Sequence, residues 1–493
     1  MGHRLTALDA TFLELEEADE SAHMHIGAIM VFDASEHGHV PSRAELCAHL
    51  GRRLGRLPRY SERLSRPHTG GLTWPEWQPD PCFALSEHVR RAALPAPGGH
   101  EELAEWASGF FSQRLDRHRA LWDMAIVEGL SDGRWALATK THHCMVDGVG
   151  SVDVGHLILD TEPDASALRG PPRRTRRRAA KPAVEPADSD GALGGEEPGA
   201  LGRLAHAWGG LLPVDAVAHA AQMGAHGALH PREALFNARA AVAMILTEEL
   251  KAAPHTSLNR PIGTERRFDV VQIPLDDLRA IRGALGGTIN DVILAVVAGA
   301  VRELLVSRGE LPPEQGLRAM VPMNVRAASE HLALGNRVSS LFIELPVSEP
   351  DAERRYRETS ARSLALKAGG QQAAGTTAVI EFAALAPPIL HSTIAQALYA
   401  NRLFNITITN VPGPQQTLYA FGSPLREIHP LVPLAAEHAL GVAIVSYDGD
   451  AFVGVVADRD TVPDMPVMLG AVRRSVEELL AAALSPAVPS GHR

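Results

Sequence analysis

The chain is poor in cysteine. Cys47, Cys82 and Cys144 are the only three in 493 residues, and they stand far apart. Neither a zinc-type spacing nor a disulfide framework can be built from them, which fits a reducing compartment. Lysine is scarce too, at positions 140, 181, 251 and 367 only, so arginine carries nearly all the positive charge. The formal net charge of −11 argues against non-specific binding to nucleic acid. The opening MGHRLTALDATFLELEEADE has no apolar core of signal-peptide length and soon turns acidic. The longest apolar run, 292–306, contains Arg302 and Glu303 and is too short and too charged to span a bilayer. The expectation is a cytoplasmic chain, at most peripheral to a membrane.

What is present is globular. Hydrophobic residues make up 45% and charged residues 21%, over a length that favours two or more domains. Residues 1–162 mix strand and helix. HIGAIMVFD reads as a strand, SRAELCAHLGRRL as a helix with a Ser42–Glu45 capping box, and HEELAEWASGFFSQRLD as another helix. DMAIVEGL and RWALATKTHH read as a hairpin around Ser131-Asp132-Gly133. Composition then breaks. From 164 to about 199 the chain is rich in Pro, Gly, Ala and charge, with the arginine run RRTRRRAAK at 173–181, a linker signature that could also meet anionic headgroups. An apolar stripe follows at Leu201, Leu204, Trp208, Leu211, Leu212 and Val217. The division is therefore 1–162, a linker at 163–232, and 233–485. In the last segment RRFDVVQIPLDDL, LRAMVPMNVR, VSSLFIELPV and NITITNVPG read as strands, and HALGVAIVSYDGDAFVGVVAD as a hairpin turning at 448–450. TINDVILAVVAGAVRELLVSRG reads as an apolar helix capped by Thr288.

The most informative stretch is HHCMVDG, 142–148. It ends the strand RWALATKTH, whose alternation puts Trp135, Leu137, Thr139, Thr141 and His143 on one face. His143 thus points inward, where a neutral imidazole can accept a proton as a general base. His142 points the other way and orients the loop. The same parity argues against His142, His143 and Asp147 converging on one metal ion, and against a Cys144–His143 nucleophile pair. Asp147-Gly148 turns the chain, Gly148 supplying a conformation or close approach closed to residues with a Cβ. Asp147 is either the orienter of His143, as in a triad, or a residue that holds the loop.

These residues carry a family resemblance. LTALDATFLELE…HMHIG (5–27), WPEWQPDPCFALSEHVR (74–90), LDRHRALWDMAIVEGL (115–130), HHCMVDG, TINDVILAVVAGAVR (288–302), VPMNVR (321–326), LGNRVS (334–339) and NVPGP (410–414) follow one another in order. In that order and spacing the chain resembles the bacterial wax ester synthase/acyl-CoA:diacylglycerol acyltransferase family. One departure is Ala120, where a proline-leucine-tryptophan motif has its proline. The resemblance implies an α/β fold of two chloramphenicol acetyltransferase-like domains, a pseudo-dimer with a tunnel between them. It implies His143 as the base, with His142, Asp147 and Gly148 completing the catalytic motif. It turns Asp147 towards an arginine, for which Arg326 is the candidate, and places Asn290 and Asp291 near the reaction centre, although plain helix capping explains them equally well. Thr409 and Asn410 would line the tunnel or polarise the thioester carbonyl.

The expected reaction is O-acylation of diacylglycerol by acyl-CoA, a substrate and not a cofactor, with long-chain alcohols as second acceptors. No metal or cofactor is expected, and the expected surroundings are a membrane or lipid-droplet surface. Two other readings share the motif or the chemistry: a carrier-protein-dependent condensation-like or polyketide-associated acyltransferase, and a non-catalytic lipid-droplet binding protein.

Overall fold

Strands that are apolar on both faces bury themselves between helices, and this sequence builds two six-stranded sheets from them. The computed structural model describes residues 3–5, 7–35, 37–65, 75–145, 155, 157–163, 252–324, 338–368 and 403–484. Asp147, Gly148, Arg326, the arginine run 173–178 and the stripe 201–217 lie outside these. Contacts part the chain into two units, Met1–Ser166 with Val242–Arg493, and Ala167–Ala241. The described helices and strands all belong to the first unit.

In chain order, helix α1 (Ala7–Ala18) precedes strand β1 (His25–Asp33), helix α2 (Arg43–Arg53), strand β2 (Val89–Ala93), helix α3 (His100–Ser112) and strands β3 (Trp122–Glu128) and β4 (Arg134–His142). The second half runs through β5 (Arg266–Pro274), α4 (Leu275–Leu285), α5 (Ile289–Ser307), β6 (Leu317–Asn324), β7 (Val338–Leu345) and α6 (Ala352–Ala368). It ends with β8 (Ile406–Pro412), β9 (Tyr419–Ala420), β10 (Ser423–Leu431), β11 (Leu440–Tyr447), β12 (Asp450–Asp458) and α7 (Met465–Leu484).

The two sheets share a four-strand core. In the first, β1 pairs antiparallel with β4, β4 antiparallel with β3, and β3 parallel with β2. In the second, β5 pairs antiparallel with β12, β12 antiparallel with β11, and β11 parallel with β8. The second sheet then continues through β6 and β7, while the first is extended by β10 and β9. Those two strands come from the C-terminal half, β10 pairing antiparallel with β1. The segment 233–485 thus also supplies the outer strands of the N-terminal sheet. The physical reason is the open edge of β1, whose unpaired backbone groups need a partner.

Local chemistry sets most boundaries. Ser42 and Glu45 form the expected capping box at α2. Thr288 caps α5, with Asp291 as its reciprocal partner. Asp448 and Gly449, at φ 46° and 93°, make the two-residue turn between β11 and β12, a turn type that needs both residues left-handed. The expected strand through RRFDVVQIPLDDL stops at Pro274, and α4 begins at Leu275 with Asp276 and Asp277 in its first turn, where acidic groups favour the helix dipole. Helix α3 ends at Ser112, short of the expected run to 116.

Helix α5 is buried on nearly every side, so it forms the core of the second half. No single helix among the described residues is long and apolar enough to cross a membrane. Helix α3 fastens the halves together. Ser108 Oγ accepts the Phe268 N–H at 2.9 Å, and Ser112 Oγ accepts the Arg266 N–H at 2.7 Å. Two serines four residues apart thus satisfy alternate donors on the exposed edge of β5. On the other side the approach is closer still. A Cβ at Gly454 of β12 would sit 2.0 Å from the Pro430 carbonyl oxygen of β10, so only glycine fits there.

Candidate active site

Strand β4 ends at His142, and His143–Met145 turns at once into a single 3₁₀ turn. The two histidines keep strand parity at this end. The His142 N–H donates to the Leu121 carbonyl at 2.9 Å on the β3 side, and the His143 N–H donates to the Met24 carbonyl at 2.8 Å on the β1 side. Their rings therefore enter different surroundings.

His143 is half-buried. Its ring stacks on Phe12 of α1, with centroids 3.9 Å apart and planes 22° from parallel. Its Nδ1 is buried with no hydrogen-bond partner among the described residues. Burial pushes the imidazole down to about 4. At neutral pH it is uncharged and holds a free lone pair, the state a general base needs.

His142 is fully buried, at 0% exposure. Its Nδ1 accepts the Cys144 N–H at 3.1 Å. Its Nε2 lies 3.4 Å from Glu16 Oε2, a polar contact outside hydrogen-bond angles. Glu16 is itself only 1% exposed. Glu16 Oε1 accepts the Met24 N–H at 3.3 Å, and its Oε2 has Arg114 at 3.7 Å. Burial works to raise the Glu16 carboxyl, but His142, Arg114 and the Met24 N–H outweigh it and leave it below the usual range. The Cys144 contact ties the His142 ring to the turn, and the expected depths are reversed, His142 being fully buried and His143 half-buried. The residues that sequence reasoning missed are Phe12, Glu16 and Met24. Their signal was the i, i+4 spacing of Phe12 and Glu16 in LDATFLELE, a motif read as a family signature and not as a helix face.

Two further histidines stand behind this pair. His25 is opposite His142 in the β1–β4 register, and its Nε2 lies 3.0 Å from the Phe111 carbonyl. His23 is buried with neither ring nitrogen hydrogen-bonded among the described residues, and burial lowers it to about 4. Lys140, two residues before His142, is buried as well. Its Nζ donates to the carbonyls of Phe110 and Gln113 at 3.0 and 2.6 Å, closing the C-terminal end of α3, and burial lowers it to about 8. Strand β4 is thus clamped at Lys140, His142 and His143. Cys144 is buried and its thiol is pushed well up, so no thiolate forms there.

The other sequence-derived residues fall on the second half. Asn410 Nδ2 donates to Asn290 Oδ1 at 3.5 Å, bringing the end of β8 to the start of α5. Asp291 Oδ2 accepts the Thr288 N–H at 2.9 Å, which is capping. Thr409 is half-buried on β8, opposite Ala443. A cavity of about 200 Å³ lies between the sheets, lined among others by His100, Arg134, Gln272, Glu427 and His429. Arg134 begins β4, so this cavity sits at the opposite end of that strand from His143.

Known proteins match this arrangement along its whole length. The model for the wax ester synthase/diacylglycerol acyltransferase catalytic domain matches residues 5–293, and that for the C-terminal domain of the same proteins matches 334–480. A Mycobacterium tuberculosis protein named "Probable diacyglycerol O-acyltransferase tgs1" is 31% identical over 485 residues, covering 98% of this chain and 95% of its own. The solved wax ester synthase/diacylglycerol acyltransferase from Marinobacter aquaeolei VT8 is 25% identical, with a TM-score of 0.66 over 98% of this chain and 99% of its own. The first condensation domain of the calcium-dependent antibiotic synthetase, 16% identical, shares the fold with a TM-score of 0.57 over 99% of this chain and 97% of its own. The paired sheets are the two domains of the chloramphenicol acetyltransferase-like fold that condensation domains also use. With the catalytic-domain match running from the α1 signature through HHCMVDG into α5, the chain belongs to the wax ester synthase/diacylglycerol acyltransferase family.

Proposed function

We propose that this chain transfers the acyl group of acyl-CoA to the free hydroxyl of diacylglycerol, giving triacylglycerol, and that His143 is the general base. Family membership carries the activity class, and long-chain alcohols are the second acceptors, giving wax esters. The observation that supports the role of His143 is an uncharged, half-buried imidazole held face to face with Phe12 at the end of β4.

A thioester carbonyl is already electrophilic and thiolate is a good leaving group. The protein's share is a base, orientation and exclusion of water. His143 takes the hydroxyl proton as the alcohol oxygen bonds to the carbonyl carbon. The tetrahedral adduct then collapses, the C–S bond breaks, and the thiolate of CoA receives the proton from the imidazolium. No acyl-enzyme forms and no metal or cofactor takes part. Asp147, paired with Arg326, holds the loop, and Gly148 shapes it. Thr409, Asn410 and Asn290 face the substrates.

Diacylglycerol is nearly insoluble, so the enzyme collects it at a membrane or droplet surface. The arginines at 173–178 and the stripe at 201–217 supply that attachment by charge and apolar burial. Serine at the five arginines should then weaken flotation with anionic liposomes at low salt, and flotation unchanged both by that replacement and by Trp208→Ser with Leu211→Ser would remove that assignment.

The reading is tested by thin-layer chromatography of products from labelled palmitoyl-CoA offered with diacylglycerol and hexadecanol in parallel. Labelled triacylglycerol is the expected product, with wax ester as the lesser one. Transfer only from a carrier-protein thioester would favour a condensation-like enzyme, and no transfer at all a lipid-binding protein.

A further inference from the structure

One helix holds both histidines of the motif, and it does so from positions that nothing in the motif itself marks. Phe12 and Glu16 are four residues apart, so they share a face of α1. Phe12 carries the ring of His143, and Glu16 meets the ring of His142. Met24 ties the two contacts together, since its N–H donates to Glu16 and its carbonyl accepts the His143 N–H.

The hydrogen bonds assign the tautomer of His142. Nδ1 accepts the Cys144 N–H and therefore carries no proton. The ring proton is on Nε2, on the side of Glu16 Oε2. A buried carboxylate 3.4 Å away favours that proton position over the alternative. Were the proton moved to Nδ1, two N–H groups would face one another between His142 and Cys144. The 143–145 turn would open and the His143 ring would leave its place on Phe12.

We propose that Glu16 is a positioning residue for acyl transfer: through His142 it locks the turn that aims His143. This rests on His143 being the base. Glu16 touches neither substrate nor His143. It acts on rate by keeping one tautomer of its neighbour, in the manner of an orienting carboxylate set one residue off the catalytic histidine.

The test uses the full-length enzyme with palmitoyl-CoA and a short-chain alcohol. Glu16→Gln keeps the shape and an acceptor for the Met24 N–H while removing the charge. Expected are a fall in kcat of about ten- to hundredfold, KM within about twofold, and ¹⁵N shifts of His142 that move away from a pure Nε2–H tautomer. His142→Asn keeps a side-chain oxygen for the Cys144 N–H but severs the link to Glu16, and should lower kcat to a similar degree. Glu16→Gln should then add nothing in the His142→Asn background. Unchanged kcat, an unchanged His142 tautomer, or losses that multiply in the double variant would each overturn the proposal. If Glu16→Gln does not fold, His142→Asn carries the test alone, and wild-type kcat there is the overturning result. His143→Ala separates this proposal from the reading it rests on. An active His143→Ala enzyme ends the base assignment while the tautomer result stands, and an inactive one with a silent Glu16→Gln ends only the positioning role.

Discussion

The same corner occurs twice in this molecule and is filled in two different ways. In each sheet the first strand begins opposite the last residue of the second hairpin strand. In the N-terminal sheet that pair is His25 and His142, and the chain runs on into His143. In the C-terminal sheet it is Arg266 and Asp458, both buried, with the charged groups 3.9 Å apart. Asp458 goes on to accept the N–H groups of Gly263 and Thr461, at 2.8 and 2.9 Å. One corner carries buried histidines with ring nitrogens unpartnered among the described residues. The other is a closed ion pair with its hydrogen bonds met. A duplicated architecture can thus keep one copy of a corner for chemistry, where buried polar atoms stay unsatisfied, and use the other for stability. The corners also touch, because Arg266 donates to the Ser21 carbonyl just ahead of β1.

The sharpest way to break this comparison is to remove the histidine that only the N-terminal corner leads to. His143→Ala should lower turnover by about 10²–10⁴ with the melting temperature nearly unchanged, because the ring is half-buried and its main-chain bond to Met24 survives. Circular dichroism and a CoA-release assay check both halves of the statement. Retention of more than about a tenth of wild-type turnover would sink the base assignment.

The C-terminal corner should respond in stability and not in rate. Asp458→Asn leaves the Arg266 guanidinium buried without its counter-charge, which costs about 3–5 kcal/mol. Urea denaturation should show that loss. The molecules still folded should turn over within about twofold of wild type, since the pair lies off the reacting atoms. A large rate defect with normal stability would mean that this corner, too, serves the chemistry.

Acid should separate the halves more gently. Burial lowers His23, His49 and His143 to about 4, and His25 and His88 fall as well, all in the N-terminal half. In the described C-terminal half only His438 is lowered in this way. Unfolded imidazoles take protons near 6.5. Above that both states are neutral and nothing changes. As pH falls from 6.5 towards 4 the unfolded chain binds protons that the folded chain refuses, so stability drops. His100 works the other way, raised by Asp269. Amide exchange between pH 7 and 5 should rise first in β1 and β4, before β11 and β12. Equal loosening of both hairpins would show that the halves unfold as one.

Much of this was legible in the sequence, for identifiable reasons. HIGAIMVFD became β1 residue for residue, and the Ser42 and Thr288 caps and the 448–450 turn were written in local chemistry. Strand parity put the two histidines on opposite sides but missed their depth, since His142 is fully buried and His143 half-buried. What could not be read was non-local. SPLREIHPL carries mixed burial, and its place as β10 depends on the open edge of β1, almost four hundred residues earlier. Glu16 was hidden because a buried carboxylate looks like any surface acid until its histidine is brought to it.

The smallest effects distinguish the two readings of the residues at the start of α5. Asp291 is buried, and one carboxylate oxygen takes the Thr288 N–H, the reciprocal half of the cap. The other oxygen is buried without a hydrogen bond among the described residues. If Asp291 serves as a cap, Asp291→Ala costs about 0.5–2 kcal/mol of stability and leaves KM for both substrates alone. Asn410 is different. Its amide meets Asn290 at 3.5 Å, a long and weak bond whose loss takes little from folding. If those amides face the thioester or the alcohol, Asn410→Ala should leave the urea midpoint in place and raise KM for one substrate by about two- to tenfold, the worth of one neutral hydrogen bond. The pair of variants therefore splits Asn290-Asp291 into an amide that meets substrate and a carboxylate that meets its own helix. The split fails if Asp291→Ala changes KM at constant stability, or if Asn410→Ala changes stability at constant KM.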